Sequence, residues 1–394
     1  MTGVRVRELA DDELRDAWEL GRVAFGGPAE PPPYVLRRVD GLHRLGAFDD
    51  RGRLVGKATD LAHEQWWGGR RLSAADVGGV AVAPEARGSG AGRALLTALL
   101  AGGRERGAAI SALYPTVSAV YRSAGWAVAG TLREVDLDTA ALPRAVPPGV
   151  RVRAAESGEL PVVRALHEQV ARSAQGLLTR TGGVHELPPE PGPWPDGADG
   201  ATLVEQDGEP TGAMVWARGR GYGVEGRLAV HDLLATTPAA AAALAAVLGG
   251  WASVAHTVRV PLLDGSAAEA VLPLERARPA RTDTWMHRPV DVVRAIAGRG
   301  WPPHVRGRVA FRLADALAPW NAGDWQLTVE DGAGELRRAT AEPDLWLDVR
   351  GFAVLYCSAA TGRAAEQAGL AGGGDPAALD VLASGPRAAQ LDYF

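Results

Sequence analysis

The stretch from Asp76 to Gly107 constrains the fold of this chain more than any other part of the sequence. It begins with a short apolar, β-branched segment closed by Pro84, a pattern typical of a buried strand. A glycine-rich turn follows, and then leucines recur at helical spacing: Leu95, Leu96, Leu99 and Leu100. Strand, glycine turn and helix in this order direct unpaired backbone N–H groups and a positive helix end to one point, which predicts an anion site.

The turn itself excludes two familiar phosphate motifs. It lacks the Gly-Lys-Ser/Thr of nucleotide hydrolases, and no G-x-G-x-x-G register with a ribose-binding acid fits it. It matches Arg/Gln-x-x-Gly-x-Gly/Ala instead, with Arg87, Gly90 and Gly92 at the fixed positions. This pattern resembles the acetyl-CoA pyrophosphate loop of the GNAT N-acetyltransferases. A ligand-free strand-to-helix turn stays open as the alternative, because the chain holds 50 glycines.

Length and composition place the chain among multidomain globular proteins. At 394 residues it is long enough for two or three domains, and its net charge of −5 gives no general reason to expect nucleic acid as a partner. The single cysteine, Cys357, excludes an internal disulfide and a cysteine metal cluster, and we expect no metal. The charged N-terminus is unlike a signal peptide, and no apolar run approaches the roughly 20 residues of a membrane helix. We therefore expect a cytoplasmic protein without a membrane partner.

The first 141 residues predict one domain. Apolar periodicity predicts strands at 4–9, 45–48, 54–61, 77–83, 109–113 and 127–137, helices at 11–25 and 95–107, and a turn at 65–71. The segment Tyr121-x-x-x-Gly125-Trp126 is similar to a signature that follows the fifth strand of GNAT enzymes. This motif stands at the expected distance from the glycine loop, and the order of elements agrees. Residues 1–141 are therefore identified as a GNAT domain that binds acetyl-CoA.

A proline-rich linker leads to a second domain, residues 149–285, which repeats this order. It predicts strands at 150–154, 202–206, 212–217 and 228–234, helices at 160–174 and 238–255, and a proline-rich loop at 188–200. No glycine loop precedes its last helix, because residues 232–238 occupy that place. We expect a degenerate GNAT-like domain that does not bind acetyl-CoA.

Residues 286–394 predict a different architecture. The pattern gives helices at 290–297, 349–358 and 375–382 and strands at 307–313, 324–330, 335–339 and 345–349. This arrangement resembles a sterol-carrier-type α+β domain. The chain ends in the apolar sequence Leu391-Asp392-Tyr393-Phe394.

The three domains together resemble the enhanced intracellular survival (Eis) acetyltransferases of actinobacteria over essentially the whole chain. The most specific points are residues 80–84, the loop 87–93, Tyr121 and the aromatic C-terminal residue. The implied fold class is α/β and α+β: an active and a degenerate GNAT fold in tandem, followed by a sterol-carrier-protein-2-like domain. The resemblance implies acetyl-CoA-dependent acetylation of primary amines, such as aminoglycosides, polyamines or lysine side chains, by a homohexamer.

The resemblance also assigns the residues that bind acetyl-CoA. Backbone groups of Val80, Ala81 and Val82 would bind the pantetheine arm. The pyrophosphate loop would comprise Arg87, Gly88, Ser89, Gly90, Ala91, Gly92 and Arg93, with Thr116 and Val117 beside the cofactor. The family's loop is often richer in arginine, so weaker phosphate attraction is expected here with an unchanged backbone cradle.

Amine acetylation needs a group that protonates the departing thiolate and a group that deprotonates the ammonium. The family position of Tyr121 assigns it as the acid; packing against Trp126 is the structural alternative. In the similar family the C-terminal α-carboxylate is the base, which here would be that of Phe394. A frayed tail is the alternative, although the apolar ending favours docking. We expect His43 and His63 to be surface or hairpin residues.

Several other residues are weaker candidates. Asp392 and Glu30 could attract a cationic amine, although solvation explains both, and Trp18 could form a wall of the substrate site. Cys357 lies in an apolar helix, where we expect it to be inert. Two alternative functions stay open. The chain could be an acetyl-CoA sensor that holds an apolar ligand in its C-terminal domain, or an acetyltransferase restricted to one natural product.

Overall fold

The computed structural model describes residues 3–182, 185, 194 and 197–394. The first part of the chain contains, in order, β1 Arg5–Glu8, α1 Leu14–Phe25, β2 Leu42–Phe48, β3 Leu54–Trp67, β4 Arg70–Val82, α2 Ala91–Glu105, β5 Ile110–Leu113, α3 Ser118–Ser123 and β6 Ala127–Asp138. The strand, glycine turn and helix predicted at 77–107 are confirmed as the end of β4, its loop and α2. The four leucines of α2 are buried, as their spacing predicts.

The elements predicted for the rest of the chain occur in the predicted order. The second part contains β7 Val150–Ala154, α4 Leu160–Ser173, β8 Gln175–Leu178, β9 Gly200–Gln206, β10 Glu209–Arg218, β11 Arg227–Ala235, α5 Pro238–Gly250, β12 Thr257–Leu262, α6 Ala267–Val271 and β13 Arg278–Pro289. The last part contains α7 Val292–Gly298, β14 Gly307–Ala314, β15 Gly323–Glu330, β16 Ala333–Arg338, β17 Leu345–Asp348, α8 Val349–Tyr356, α9 Gly362–Gln367 and β18 Ala371–Gly372. Strands β8, β12, β13 and β18 and helices α6 and α9 were not predicted. The loop expected at 188–200 lies largely outside the described residues.

One long sheet joins the first two parts of the chain. Its order is β1-β2-β3-β4-β5-β13-β6-β12-β11-β10-β9-β7, and β8 pairs with β3. Strand β13, which ends the second part, lies antiparallel between β5 and β6 of the first part. The proposed limits 1–141, 149–285 and 286–394 stay a proposal, and the second of them falls within β13. A separate five-stranded sheet, β16-β15-β14-β17-β18, forms the C-terminal part.

Two sequence predictions are wrong in detail. The turn expected at 65–71 is confined to Gly68 and Gly69, because β3 continues to Trp67 and pairs there with both β4 and β8. Both glycines have positive φ, 57° and 79°. The helix expected at 375–382 is a 3-10 helix over Pro376–Val381. None of the helices in the described ranges combines the length and apolarity that crossing a bilayer requires.

Helices α1 and α2 cover opposite faces of the sheet. Ala47 packs in the cluster that contains the buried leucines of α2, whereas the next residue, Phe48, packs with Leu14 and Ala17 of α1. Successive residues of a strand point to opposite faces. Alternate residues of β3 therefore face α1, beginning at Lys57, and we call this side of the sheet the α1 face.

Two buried histidines predict that acid destabilises the fold. Burial lowers the pKa of His167 from 6.5 to about 4 and that of His287 from 6.5 to about 3. Because the pKa of each histidine is lower in the folded state than in the unfolded state, its contribution to the free energy of unfolding is complete above pH 6.5. This contribution is lost as the pH falls from 6.5 toward the folded-state pKa. For His167 this loss is about 3 kcal/mol of unfolding free energy between pH 7 and pH 4. Urea unfolding across this range should show the decline, and His167→Leu should make it shallower; an equal slope in that variant would contradict the assignment.

Candidate active site

The glycine loop between β4 and α2 has the geometry of an anion cradle. Gly88 and Gly90 have φ of +79° and +90°, and a Cβ built on either would meet no atom within 4 Å. The backbone N–H groups of Gly88, Gly90, Gly92 and Arg93 donate to no described residue. Gly90 is also the N-cap residue of α2, so the positive end of the helix dipole points to the same place. Four of the predicted loop residues thus present unpaired backbone N–H groups beside the helix end, which suits a phosphate. The N–H groups of Arg87, Ser89 and Ala91 are bonded within the loop.

Strands β4 and β5 separate beside this loop. Their parallel pairing ends at Val77 and Leu113, while β4 continues to Val82. The register between β3 and β4 shifts so that Gly79 and Val80 together face Ala58. Such a bulge leaves backbone groups outside the ladder. The predicted residues Val80, Ala81 and Val82 thus border an opening in the sheet that could accept an extended chain, and Thr116 and Val117 are exposed at its far side.

Tyr121 lies on α3, which follows β5 across this opening. Its ring meets Trp126 edge-on, with centroids 6.3 Å apart, and it packs in the same apolar cluster as Val80 and Val82. Burial raises the pKa of the Tyr121 phenol. The hydroxyl therefore stays protonated across the physiological range, which is the state that an acid requires. The packing alternative and the acid role are compatible, because the ring makes the contact with Trp126 and the hydroxyl would donate the proton.

The C-terminal tail is docked on the α1 face. The Ala389 N–H donates to the Gln175 carbonyl at 2.8 Å, and Gln390 Nε2 donates to the Gly176 carbonyl at 2.7 Å. Tyr114 Oη donates to the backbone carbonyl of Asp392 at 2.8 Å. The tail therefore contacts both β8 and the end of β5, and the frayed-tail alternative is wrong.

Arg180 anchors this tail to the second domain. Its guanidinium bonds both carboxylate oxygens of Asp232, at 2.8 and 2.9 Å, and its Nε donates to Asp392 Oδ1 at 2.8 Å. Asp232 is almost fully buried. The segment at 232–238, which replaces a glycine loop in the second domain, thus contributes a structural contact to the first domain's site. Asp392 pairs with Arg180, so its charge is compensated and it is poorly placed to attract an amine.

Phe394 packs against a buried His63–Asp76 pair. Its ring centroid lies 5.0 Å from that of His63 and 5.4 Å from that of Tyr114. His63 Nδ1 is 3.0 Å from Asp76 Oδ2, and Asp76 also accepts bonds from Gln65 and the Ala112 N–H. A carboxylate oxygen accepts, so this bond assigns a proton to Nδ1, and Nε2 has no described hydrogen-bond partner. Of the two positions expected for His63, the surface is wrong, because its side chain is 1% exposed, and the hairpin agrees with its pairing between β3 and β4.

The weaker candidates have other surroundings. His43 is half-buried and close to Glu8, and Glu30 is exposed and paired with Arg15. The Trp18 indole lines a small cavity under α1. Cys357 is buried, and burial raises the pKa of its thiol, which agrees with an inert side chain. No group of three or more metal-ligating side chains occurs within the described part of the chain.

The sequence analysis missed the polar residues that hold the tail. His63, Asp76 and Gln65 stand at alternate positions of β3 or opposite them on β4, so they share one face. That alternation was visible in the sequence, but the turn expected at 65–71 obscured it. Arg180 and Asp232 had no such signal, because only the fold brings them together.

Comparison with known proteins agrees with this architecture. Models described as "Acetyltransferase (GNAT) domain" match residues 5–129 and 176–295, and one described as "Sterol carrier protein domain" matches residues 292–389. The chain is 30% identical to an uncharacterised N-acetyltransferase of Streptomyces coelicolor over 367 residues, which cover 86% of this chain and 87% of that protein.

Solved structures give the same result. A GCN5-related N-acetyltransferase from Kribbella flavida is 30% identical, with a TM-score of 0.84 over 100% of this chain and 99% of that one. Eis1 from Mycobacterium abscessus, 23% identical, shares the fold along the full length of both chains with a TM-score of 0.77. The predicted fold class is confirmed. The chain therefore belongs to the GNAT family of N-acetyltransferases, in the Eis-like arrangement of two GNAT domains followed by a sterol carrier protein domain.

Proposed function

We propose that this enzyme transfers the acetyl group of acetyl-CoA directly to primary amines in its N-terminal domain. GNAT acetyltransferases use acetyl-CoA, and the observation that carries the proposal is the open cradle of N–H groups at 88–93 beside the separated strands β4 and β5. The acceptors that we propose are polyamino compounds: aminoglycosides, polyamines or lysine side chains.

The loop and the opening support one orientation of the cofactor. The pyrophosphate would meet the residues of the loop, Arg87, Gly88, Ser89, Gly90, Ala91, Gly92 and Arg93. The pantetheine arm would then follow Val80, Ala81 and Val82 into the opening, past Thr116 and Val117. This path brings the thioester to the bulge at Gly79, within reach of the α1 face and of Tyr121 on the other side of the opening.

Tyr121 and the Phe394 carboxylate are the proposed acid and base. As the amine attacks the carbonyl carbon, the C–S bond breaks and the Tyr121 hydroxyl protonates the thiolate. The carboxylate at the end of the docked tail takes the first proton of the ammonium before the attack. The second proton, which the nitrogen loses as the amide forms, returns to the Tyr121 oxygen. A terminal carboxylate has a low reference pKa, so desolvation or a water relay would be needed to make it an effective base. His63 is the proposed positioning residue, because its ring packs against that of Phe394.

An acidic pocket supports a cationic acceptor. A cavity of about 700 Å³ lies between α1 and the turn that joins β2 to β3, and it is bordered by Ala83 and Pro84 of the strand end. Four carboxylates and two arginines line it. Glu13, Glu19 and Arg53 have ion-pair partners, which leaves the carboxylates of Asp16 and Glu85 and the guanidinium of Arg87 without a described one. Unpaired carboxylates in a cleft raise the local concentration of cations.

Thiol release from acetyl-CoA tests the proposal. We expect release with several members of a panel of aminoglycosides, polyamines and lysine peptides, and calorimetry should give a single acetyl-CoA site per chain. Two sites would contradict the degenerate assignment of the second domain. If acetyl-CoA binds tightly but no member of the panel causes thiol release, the proposed class of polyamino acceptors is contradicted.

A matched pair of glycine variants isolates the cradle. In Gly90→Val a β-branched residue must adopt φ near +90°, so the loop should shift and acetyl-CoA affinity should fall by on the order of tenfold or more. Gly208→Val imposes similar strain at φ +85° in the hairpin of the second domain, far from the loop. Equal loss of affinity in both variants would show that general destabilisation, rather than the cradle, is responsible.

The resemblance to Eis also leads us to propose a homohexamer. The apolar side chains left exposed by the single chain include Tyr222 and Val224, at 85% and 82%. Sedimentation of the purified protein would show whether the chain assembles, and a monomer at all concentrations would contradict this proposal.

A further inference from the structure

Lys57 is the only lysine in the sequence, and every other residue among the 42 lysines and arginines is an arginine. An arginine side chain cannot lose its proton in a protein, so it is neither a base nor a nucleophile. Among the lysine and arginine side chains of this sequence, the single lysine is therefore the one that can lose its proton and act as a base or a nucleophile. Any lysine chemistry of this protein must occur at position 57.

The ammonium of Lys57 lies beside the bulge where the acetyl group is expected. Lys57 stands on β3, facing α1, and is paired with Ala81 of β4. A Cβ built on Gly79 would lie 3.6 Å from Lys57 Nζ, and one built on Gly21 of α1 would lie 2.8 Å from it. A side chain at either position would crowd the amine. The two glycines thus leave Nζ next to the backbone that lines the opening between β4 and β5.

The surroundings of Lys57 favour the neutral amine. No described carboxylate lies within 4 Å of Nζ, and no described residue accepts a hydrogen bond from it. Arg44, on the adjacent strand β2, adds a second positive charge on the same face. Burial and then Arg44 lower the pKa of Lys57. An amine whose charge is unpaired and only partly solvated is a better nucleophile than an exposed lysine at the same pH.

A small cavity adjoins this amine. It has a volume of about 40 Å³, and no acidic side chain lines it. The lining residues are Lys57, Thr59, Arg44, Trp18 and the apolar Leu9, Leu14, Ala17, Val35 and Ala58. The Trp18 indole N–H is buried there without a described acceptor. The space suits a group of three heavy atoms, and an unpaired N–H donor matches a carbonyl oxygen.

We propose that Lys57 is a self-acetylation site. The lone pair of the Lys57 amine attacks the thioester carbon of bound acetyl-CoA, the new C–N bond forms, and the C–S bond breaks. The coenzyme A thiolate takes the proton that the amine releases. The products are Nε-acetyl-Lys57 and coenzyme A, with the acetyl group in the cavity beside Trp18. The reaction also removes an unpaired, half-buried charge, which favours the modified state.

This inference rests on the proposed acetyl-CoA chemistry but needs no amine acceptor, so it can fail separately. The full-length protein is incubated with acetyl-CoA alone and digested with trypsin. Because trypsin does not cut after acetyl-lysine, we expect the peptide from Leu54 to Arg70 to survive uncut and to carry the mass of one acetyl group. Lys57→Arg should give no such modification and should keep the fold by circular dichroism.

The glycine variants separate enzymatic from solution acetylation. At acetyl-CoA concentrations below its Kd, we expect Gly90→Val to modify Lys57 on the order of tenfold more slowly, and Gly208→Val to match the wild type. Equal modification in Gly90→Val would overturn the inference, because free acetyl-CoA would then be the donor. An unmodified Lys57 in wild-type protein that binds acetyl-CoA would also overturn the inference. The proposed function would then still be tested by thiol release with the amine panel. Failure to bind acetyl-CoA would contradict both.

Discussion

Replacing the C-terminal carboxylate by a carboxamide is expected to lower kcat by on the order of 10²-fold while acetyl-CoA binds with unchanged Kd. The amide has the same shape and keeps every contact of the docked tail, including the Tyr114 bond to Asp392 and the ring contacts of Phe394. It removes only the group proposed to accept the ammonium proton. A semisynthetic chain with an amidated C-terminus makes this change, and thiol release with the best amine of the panel measures it.

Two further variants show whether the charge or the docking matters. Phe394→Leu keeps the carboxylate and an apolar side chain, so most of kcat should remain. Extension by a short Gly-Ser segment displaces the carboxylate without removing it, and it should damage catalysis as severely as the amide. Full activity of the amidated chain would refute the base role and direct attention to His63, whose Nε2 is available on the same face.

His63 is expected to act through the tail rather than on the substrate. In His63→Phe the ring contact with Phe394 can be kept, whereas Nε2 and the bond to Asp76 are lost. A positioning role predicts a moderate fall in kcat with the pH profile unchanged in shape. Loss of the acidic limb of that profile in His63→Phe, but not in the amidated chain, would show that the imidazole is the base.

The order of the predicted helices and strands followed from local sequence pattern, because each of them is indicated by residues close together in the chain. The strands expected at 45–48 and 54–61 and the leucines of α2 needed no tertiary information. All are present, although β2 and β3 extend beyond the expected limits. The position of β13 was not accessible in this way. This strand completes the first sheet from a distance of about 150 residues, and nothing in Arg278–Pro289 specifies which strands it will join.

The residues of the candidate site also fall into two groups: those within sequence motifs and those that only the fold brings together. The glycine loop and Tyr121 lie within motifs, so the resemblance of those motifs to the family was enough to propose them. Arg180 and Asp232 are isolated in sequence and acquire meaning only because the second domain packs against the tail. Lys57 is an intermediate case: the sequence shows that it is the only lysine, but not that its amine lies beside Gly79.

Tyr121→Phe is expected to reduce kcat by about 10²- to 10⁴-fold and to leave acetyl-CoA affinity intact. The phenylalanine ring keeps the edge contact with Trp126 and removes only the hydroxyl. Without it the thiolate must leave unprotonated, which raises the barrier of the step in which the C–S bond breaks. Because the pKa of Tyr121 is raised by burial, the wild-type acid should remain protonated at alkaline pH, so kcat should not decline near pH 10 through this group.

Tyr356→Phe is the matched control for this substitution. Tyr356 is fully buried in the C-terminal part, where its hydroxyl donates to the Ala295 carbonyl at 3.0 Å. Removing that hydroxyl should cost about 1 kcal/mol of unfolding free energy and leave kcat unchanged. The two variants therefore separate stability from chemistry: a loss of kcat in Tyr121→Phe without a loss of stability supports the acid. Equal kcat in Tyr121→Phe and wild type would mean that solvent protonates the thiolate and that Tyr121 only packs against Trp126.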